Sequence, residues 1–142
     1  MQNFGYSMLW FWAAYLLVSL VGVLHTIFNI SVLHMGAMNE HSMGEGYERT
    51  KPFHVLYNIV LFPIAAWLYL RGLPSPTLCD ALLSAGIWVG ITIIFDLFAW
   101  VLIRHPWSLS FREFYVDYQP WITLIYLVIC LSPLIAFGLM RI

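Results

Sequence analysis

The sequence predicts an all-α integral membrane protein, a compact four-transmembrane-helix bundle with short connections. Of its 142 residues, 62% are hydrophobic and only 9% are charged, whereas soluble domains carry about 25% charged residues. Four apolar segments also reach the length of about 20 residues that a helix needs to cross the hydrocarbon core of a bilayer. Composition and segment length therefore place residues 1–142 in a single transmembrane domain.

The predicted spans cover residues 7–30, 52–70, 81–103 and 120–140. The second span follows Thr50, which is a good N-cap, and has Pro52 in its first turn, where a missing N–H is tolerated. The third span ends before Arg104. The N-terminus lacks the basic start and cleavage site of a secretory signal, so we expect the first span to stay in the mature protein.

Tryptophan and basic residues predict how the spans are oriented. We call the end of the bundle with the first and third connections side A, and the end with both termini side B. Tryptophan gathers at membrane interfaces, and the seven fall at the two ends, with Trp10, Trp12, Trp67 and Trp88 towards side B and Trp100, Trp107 and Trp121 towards side A. Side A carries the larger share of Lys and Arg, so the positive-inside rule predicts cytoplasmic 35–51 and 104–119 connections and outside termini.

A pair of polar residues recurs in the first two spans. His25 and Asn29 lie four residues apart in the first span, and His54 and Asn58 repeat this spacing in the second. On a helix such pairs share one face, and polar groups in a membrane seldom face lipid. Because the two helices are antiparallel, we expect His25 level with Asn58, and Asn29 level with His54.

Asp96 adds a carboxyl group to this set. It lies eight residues before Arg104, which corresponds to about 12 Å of helix. A carboxyl group at that depth must be neutral or paired. The polar residues gather in the side A half, so the sequence predicts a pocket open to side A and closed towards side B. Its candidate ligand-binding residues are His25, Asn29, His54, Asn58 and Asp96.

Two readings of this polar set stay open. The residues can serve packing alone, because polar contacts between membrane helices often hold their register. They can also bind a ligand, including a metal ion held by His25, His54 and Asp96. The sequence does not identify a cofactor, and a metal ion is the candidate that these residue types favour, since the unequal depths of His25 and His54 argue against a haem.

Two further motifs have two readings each. The connection from His34 to Met43 contains His and Met side chains of the kind that bind copper, but it has no established ligand spacing, so we favour an ordinary interfacial loop. Gly86 and Gly90 form a GxxxG step on the third span. Such a step lets helices approach closely, and it predicts either packing within the bundle or a homodimer interface.

Function is predicted at the level of class. A net charge of −1 and the absence of a basic cluster argue against nucleic-acid binding, so the expected partners are the lipid bilayer and a small ligand or ion. We expect a protein that binds or translocates a proton, a cation or a small polar solute. The alternatives are a membrane enzyme that acts on a lipid or quinone through a His/Asp site, and a non-catalytic membrane subunit.

Overall fold

A computed structural model describes residues 3–37, 44–105 and 108–141 of the chain. Their regular structure is helical, and the long helices are α1 (Phe4–Ser31), α2 (Gly44–Arg71), α3 (Leu78–Asp96) and α5 (Trp121–Leu139). A π-helical turn, Leu97–Leu102, continues α3 directly, and a short helix, α4 (Phe111–Tyr115), lies in the third connection.

The structure confirms the predicted all-helical architecture with four long apolar helices. Within the described ranges, four helical segments are long and apolar enough to cross a membrane, with mean hydropathy between 1.7 and 2.4. Many large apolar side chains on their outer faces are exposed, among them Leu16, Leu20 and Ile94. These features are those of a multi-pass membrane protein.

Helix α2 begins earlier than predicted. It starts at Gly44 rather than near residue 52, so Thr50 lies inside the helix and is not its N-cap. The charged side chains of the first two turns hide this start from a hydropathy pattern, yet they suit a helix, as shown by the i,i+4 ion pair between Glu45 and Arg49 at 3.7 Å. The predicted boundary is therefore wrong by about two turns.

Helices α1 and α2 form a tightly packed hairpin. Asn29 Nδ2 donates to the Gly46 carbonyl oxygen at 3.0 Å and to Thr50 Oγ1 at 3.1 Å, and Thr26 Oγ1 donates to Thr50 Oγ1 at 3.2 Å. A Cβ at Gly46 would lie 2.7 Å from Ile30 Cγ1, so a larger residue would force the backbones apart. These contacts set the register of the hairpin.

Around the bundle, α1 packs on α2, α2 on α5, and α5 on α3. Helix α3 reaches α1 mainly through large side chains, for example Trp88, whose Nε1 donates to Ser7 Oγ at 2.9 Å. In the side B half, Phe11, Phe62 and Trp88 are fully buried and contact one another. This aromatic packing closes the described bundle towards side B.

The third connection folds back onto the side A end of the bundle. Ser110 and Glu113 form a capping box at the start of α4, and the Leu109 N–H donates to the Trp100 carbonyl oxygen at 2.8 Å. Leu109, Phe114 and Tyr118 are buried as a result. This segment therefore contributes to the side A end of the bundle, where the sequence predicts an opening.

Gly86 and Gly90 do not pack against another helix in the part of the chain that the structure describes. A Cβ at either position would have no neighbour within 4 Å. The reading of GxxxG as packing within the bundle is therefore wrong, and the homodimer interface stays a prediction.

Candidate functional site

The side A half of the bundle contains a cavity of about 120 Å³. All four long helices and the third connection contribute to its wall. Helix α1 presents one face at helical spacing, consisting of Tyr15, Val18, Ser19, Gly22, Val23 and Thr26. Much of the remaining wall is apolar, contributed by Phe62, Leu109, Phe114, Ile122, Ile125 and Ile129. The cavity is thus a mostly apolar chamber in which individual polar groups stand out.

Asp96 lies in the wall of this cavity and is only 5% exposed. Tyr15 Oη donates to its Oδ1 at 2.5 Å, and Tyr126 Oη donates to its Oδ2 at 3.0 Å. Trp100 Nε1 in turn donates to Tyr15 Oη at 3.1 Å. Two tyrosines on different helices therefore satisfy both carboxyl oxygens. Neither His25 nor His54 is a hydrogen-bond partner of Asp96.

His54 forms a second polar group on the cavity wall. Its Nδ1 is hydrogen-bonded to Tyr118 Oη, and its ring lies against Gly22, where a Cβ would overlap the imidazole. The Tyr118 ring stacks on Tyr47 with centroids 6.1 Å apart. Burial raises the pKa of Tyr118 well above its ordinary value, so its hydroxyl group stays protonated at physiological pH.

Lys51 lies beside this aromatic group but is already paired. It is 2% exposed, and its Nζ lies 2.6 Å from Glu48 Oε1. The same ammonium group lies 5.8 Å from the Tyr47 ring centroid and 5.2 Å from that of Tyr118, within the range of a cation–π interaction. These contacts offset the cost of burying the charge.

Asn58 is a buried cavity residue with hydrogen-bonding capacity to spare. It is 2% exposed, and its Nδ2 donates to the His54 carbonyl oxygen at 2.7 Å. A primary amide carries two N–H donors and a carbonyl acceptor. That single bond inside α2 is the one the structure shows for Asn58, so a second N–H and the carbonyl oxygen can serve a ligand.

The cavity brings together three of the five candidate residues, His54, Asn58 and Asp96, while His25 and Asn29 lie outside its wall. His25 Nδ1 is hydrogen-bonded to Tyr57 Oη at 2.6 Å, and Asn29 contacts Gly46 and Thr50. The expected levels of His25 with Asn58 and of Asn29 with His54 are therefore wrong. Because α2 starts about two turns earlier, its residues lie deeper relative to α1 than predicted.

The predicted metal set is not assembled. Within the described residues, no group of three His, Cys, Asp or Glu side chains is close enough to hold a metal ion. His25, His54 and Asp96 are instead hydrogen-bonded to tyrosines, and no two of them share one. In the His34–Met43 connection, His34 is exposed, and residues 38–43 lie outside the described part of the chain. Trp107, which the sequence places towards side A, also lies outside the described residues.

The sequence pattern missed Tyr15, Trp100, Tyr118 and Tyr126. These residues looked like ordinary membrane aromatics, which gather at interfaces. One signal was available, because Tyr15 lies well inside the first span, where a hydroxyl group needs a polar partner. That partner could not be identified without knowing the relative rotation of α1 and α3.

No protein-family model, curated protein or solved structure matches this chain. Its chemistry therefore has to be inferred from its own residues.

Proposed function

We propose that this chain is a multi-pass membrane protein that binds a small molecule in the side A cavity. The observation that carries the proposal is the convergence of His54, Asn58 and Asp96 on one mostly apolar chamber. Small-molecule sites have this character, with apolar walls and a few polar groups that orient the ligand. A polar set that served packing alone would leave no such space between the helices.

The aromatic packing below the cavity favours binding over passage through the bundle. Phe11, Phe62 and Trp88 are fully buried in the side B half. A ligand in the cavity would have to displace these rings to reach side B, and interiors packed in this way resist such movement. The described arrangement therefore suits a molecule that enters and leaves by the same route.

Native mass spectrometry of the protein released from lipid nanodiscs tests this proposal. We expect a bound molecule to be retained by the wild type and lost in Ile125→Trp, which fills the cavity. Leu127→Trp is the matched control, because Leu127 lies on the exposed face of the same helix. Retention by all three proteins, or by none of them, would contradict binding in the cavity.

Proton or cation translocation is a second candidate, favoured by the buried carboxyl group of Asp96. Buried ionisable residues in membrane helices often belong to ion or proton pathways. If Asp96 serves in this way, Asp96→Asn abolishes proton or Na⁺ flux in proteoliposomes, whereas Asp117→Asn in the exposed connection retains it. Equal flux in both variants and in protein-free liposomes would exclude this candidate.

A further inference from the structure

We propose that the cavity binds the planar, oxygen-bearing ring of an uncharged quinone or phenol lipid, which enters from the bilayer between α1 and α3. This inference rests on the ligand-binding function proposed above and names the class of ligand and its route. It is carried by the size of the cavity, the absence of Lys and Arg from its described wall, the amide group of Asn58 and the arrangement of α1 and α3 at the edge of the bundle.

Size is the first argument. The cavity measures about 120 Å³, and an engineered cavity of about 150 Å³ in another protein binds benzene. The space therefore suits a single six-membered ring with small substituents. An ion would leave most of the apolar wall without contacts, and a long hydrocarbon chain would not fit inside.

Charge is the second argument. Within the described residues, no Lys or Arg side chain lines the cavity, and nearby Lys51 is paired with Glu48. Both oxygens of Asp96 already accept hydrogen bonds from tyrosines. An anionic ligand would be buried without a counter-charge, which is strongly unfavourable, and a cationic ligand would have to compete with two tyrosines for the Asp96 carboxyl group. The chamber therefore favours an uncharged molecule.

The third argument is the amide group of Asn58. It faces the cavity with a second N–H and a carbonyl oxygen available. A quinone oxygen would accept from this N–H, and a phenol hydroxyl would donate to the carbonyl oxygen. A ring without oxygen substituents would leave the buried amide unsatisfied. Asn58 is thus the residue that we expect to recognise the ring oxygen.

The edge of the bundle between α1 and α3 lies beside the cavity. The two helices are parallel and in constant register, because Ser7 bonds Trp88 and Tyr15 bonds Asp96, 81 positions apart in each case. At this offset Ser19 lies about level with Trp100. Helix α3 and its π-helical turn end at Leu102, so α1 extends several residues beyond them towards side A.

Small side chains line this edge at the level of the cavity. Trp12 contacts the Phe95 ring at 5.0 Å and so identifies the edge of α1 that faces α3. Ser19 and Val23 follow on the same edge at helical spacing. Both are half-buried and line the cavity. The proposed route for the ring is a gap between α1 and α3 at this level, with the hydrocarbon tail staying in lipid.

The test uses the full chain in phosphatidylcholine nanodiscs with 2-decyl-1,4-benzoquinone as the probe. Quinones quench indole fluorescence, and Trp100 lies in the cavity wall. We expect saturable quenching in the wild type, with the apparent affinity at least about tenfold lower in Asn58→Leu. Ser19→Phe should weaken binding similarly, because its ring blocks the gap, whereas Leu20→Phe, on the lipid-facing side, should match the wild type.

Competitors define the ligand class. Displacement of the probe by 4-nonylphenol would show that phenol and quinone rings share the site, and failure to displace it would restrict the site to quinones. Both results support the inference. Equal displacement by decylbenzene, which lacks oxygen, would overturn it. So would non-saturable quenching in the wild type, or equal affinities in Ser19→Phe and Leu20→Phe.

This result is separable from the proposed function. If the probe fails but native mass spectrometry still detects a molecule that Ile125→Trp loses, the cavity binds a different class of ligand. If Asn58→Leu does not fold, two comparisons still test whether the cavity binds an oxygen-bearing ring that enters between α1 and α3. They are Ser19→Phe against Leu20→Phe, and the competition with decylbenzene.

Discussion

At the scale of single residues, Gly22 determines where the imidazole of His54 can lie. A Cβ at this position would overlap the His54 ring, and the ring is held on its other side by Tyr118. The absence of a side chain at Gly22 therefore allows α1 and α2 to approach each other beside the cavity. It also places His54 in the cavity wall.

We expect Gly22→Ala to lower the free energy of unfolding by about 1–3 kcal/mol, because the added methyl group overpacks a buried contact. Gly86→Ala is the matched control, since a Cβ there has no neighbour within 4 Å. Replacing an exposed helical glycine with alanine stabilises by up to about 1 kcal/mol. Unfolding in detergent by heat or denaturant measures the stability of both variants. Equal destabilisation by Gly22→Ala and Gly86→Ala would contradict the prediction.

At the scale of elements, the α1–α2 hairpin is held in register by a small polar group around Thr50. Its hydroxyl accepts from Asn29 and Thr26 and donates to the Gly46 carbonyl oxygen at 2.9 Å. These bonds lie on the first turns of α2, which a hydropathy pattern assigns to a connection. The α2 residues that set the register of this hairpin, Gly46 and Thr50, therefore lie outside the predicted second span.

Thr50→Val keeps the side-chain shape and removes the hydroxyl group. We expect a loss of about 0.5–2 kcal/mol, because the Asn29 amide loses a buried partner. Thr123→Val in α5 serves for comparison, since its hydroxyl bonds Gln119 at an exposed site. The measurement is the difference in unfolding free energy between the two variants. A difference near zero would show that the Thr50 hydroxyl group does not stabilise the register of the hairpin.

The third connection depends on a different element, the capping box of α4. Hydrogen bonds from the Ser110 backbone N–H and from its hydroxyl group lower the pKa of Glu113. The ionised carboxylate therefore stabilises the folded connection at pH values above the ordinary pKa of Glu, which is about 4.3. This stabilisation is lost as the pH falls through the lowered pKa of the folded state.

Hydrogen exchange of residues 108–118 checks the sign of this effect. At about pH 7, Glu113→Gln should exchange faster than the wild type, because the neutral side chain caps α4 less strongly. When the pH is brought below the lowered pKa of Glu113, the two rates should converge, since the wild-type carboxyl group is then protonated. A ratio of rates that stays constant between these pH values would show that Glu113 does not hold this segment.

At the scale of the whole molecule, the predicted orientation can be tested with a native cysteine. Cys79 is exposed near the side B end of α3, whereas Cys130 lies within α5. If side B faces outside, a membrane-impermeant maleimide labels Cys79 in intact cells. Phe111→Cys in the exposed third connection, made in a Cys79→Ser background, should be labelled after permeabilisation alone. The reverse pattern would invert the orientation.

Asp96 shows how far the candidate site could be predicted. Its depth in an apolar segment was enough to mark it as a residue that needs a partner. The partners, Tyr15 and Tyr126, lie 81 and 30 positions away, and no local pattern singles them out among the aromatic residues. The predicted metal set of His25, His54 and Asp96 is not assembled, because depth alone was used to group these residues, whereas contact between side chains also depends on helix rotation.

The sequence by itself determined that this chain forms four long apolar helices, because length and hydropathy are local properties that each segment carries alone. It also predicted that polar residues concentrate in the side A half. Tertiary structure alone decided the register of α1 against α2, the pairing of Asp96 with tyrosines and the place of Leu109 and Phe114 in the cavity wall. Those features depend on the axial shift and rotation of whole helices, which are set by the combined packing of many distant side chains.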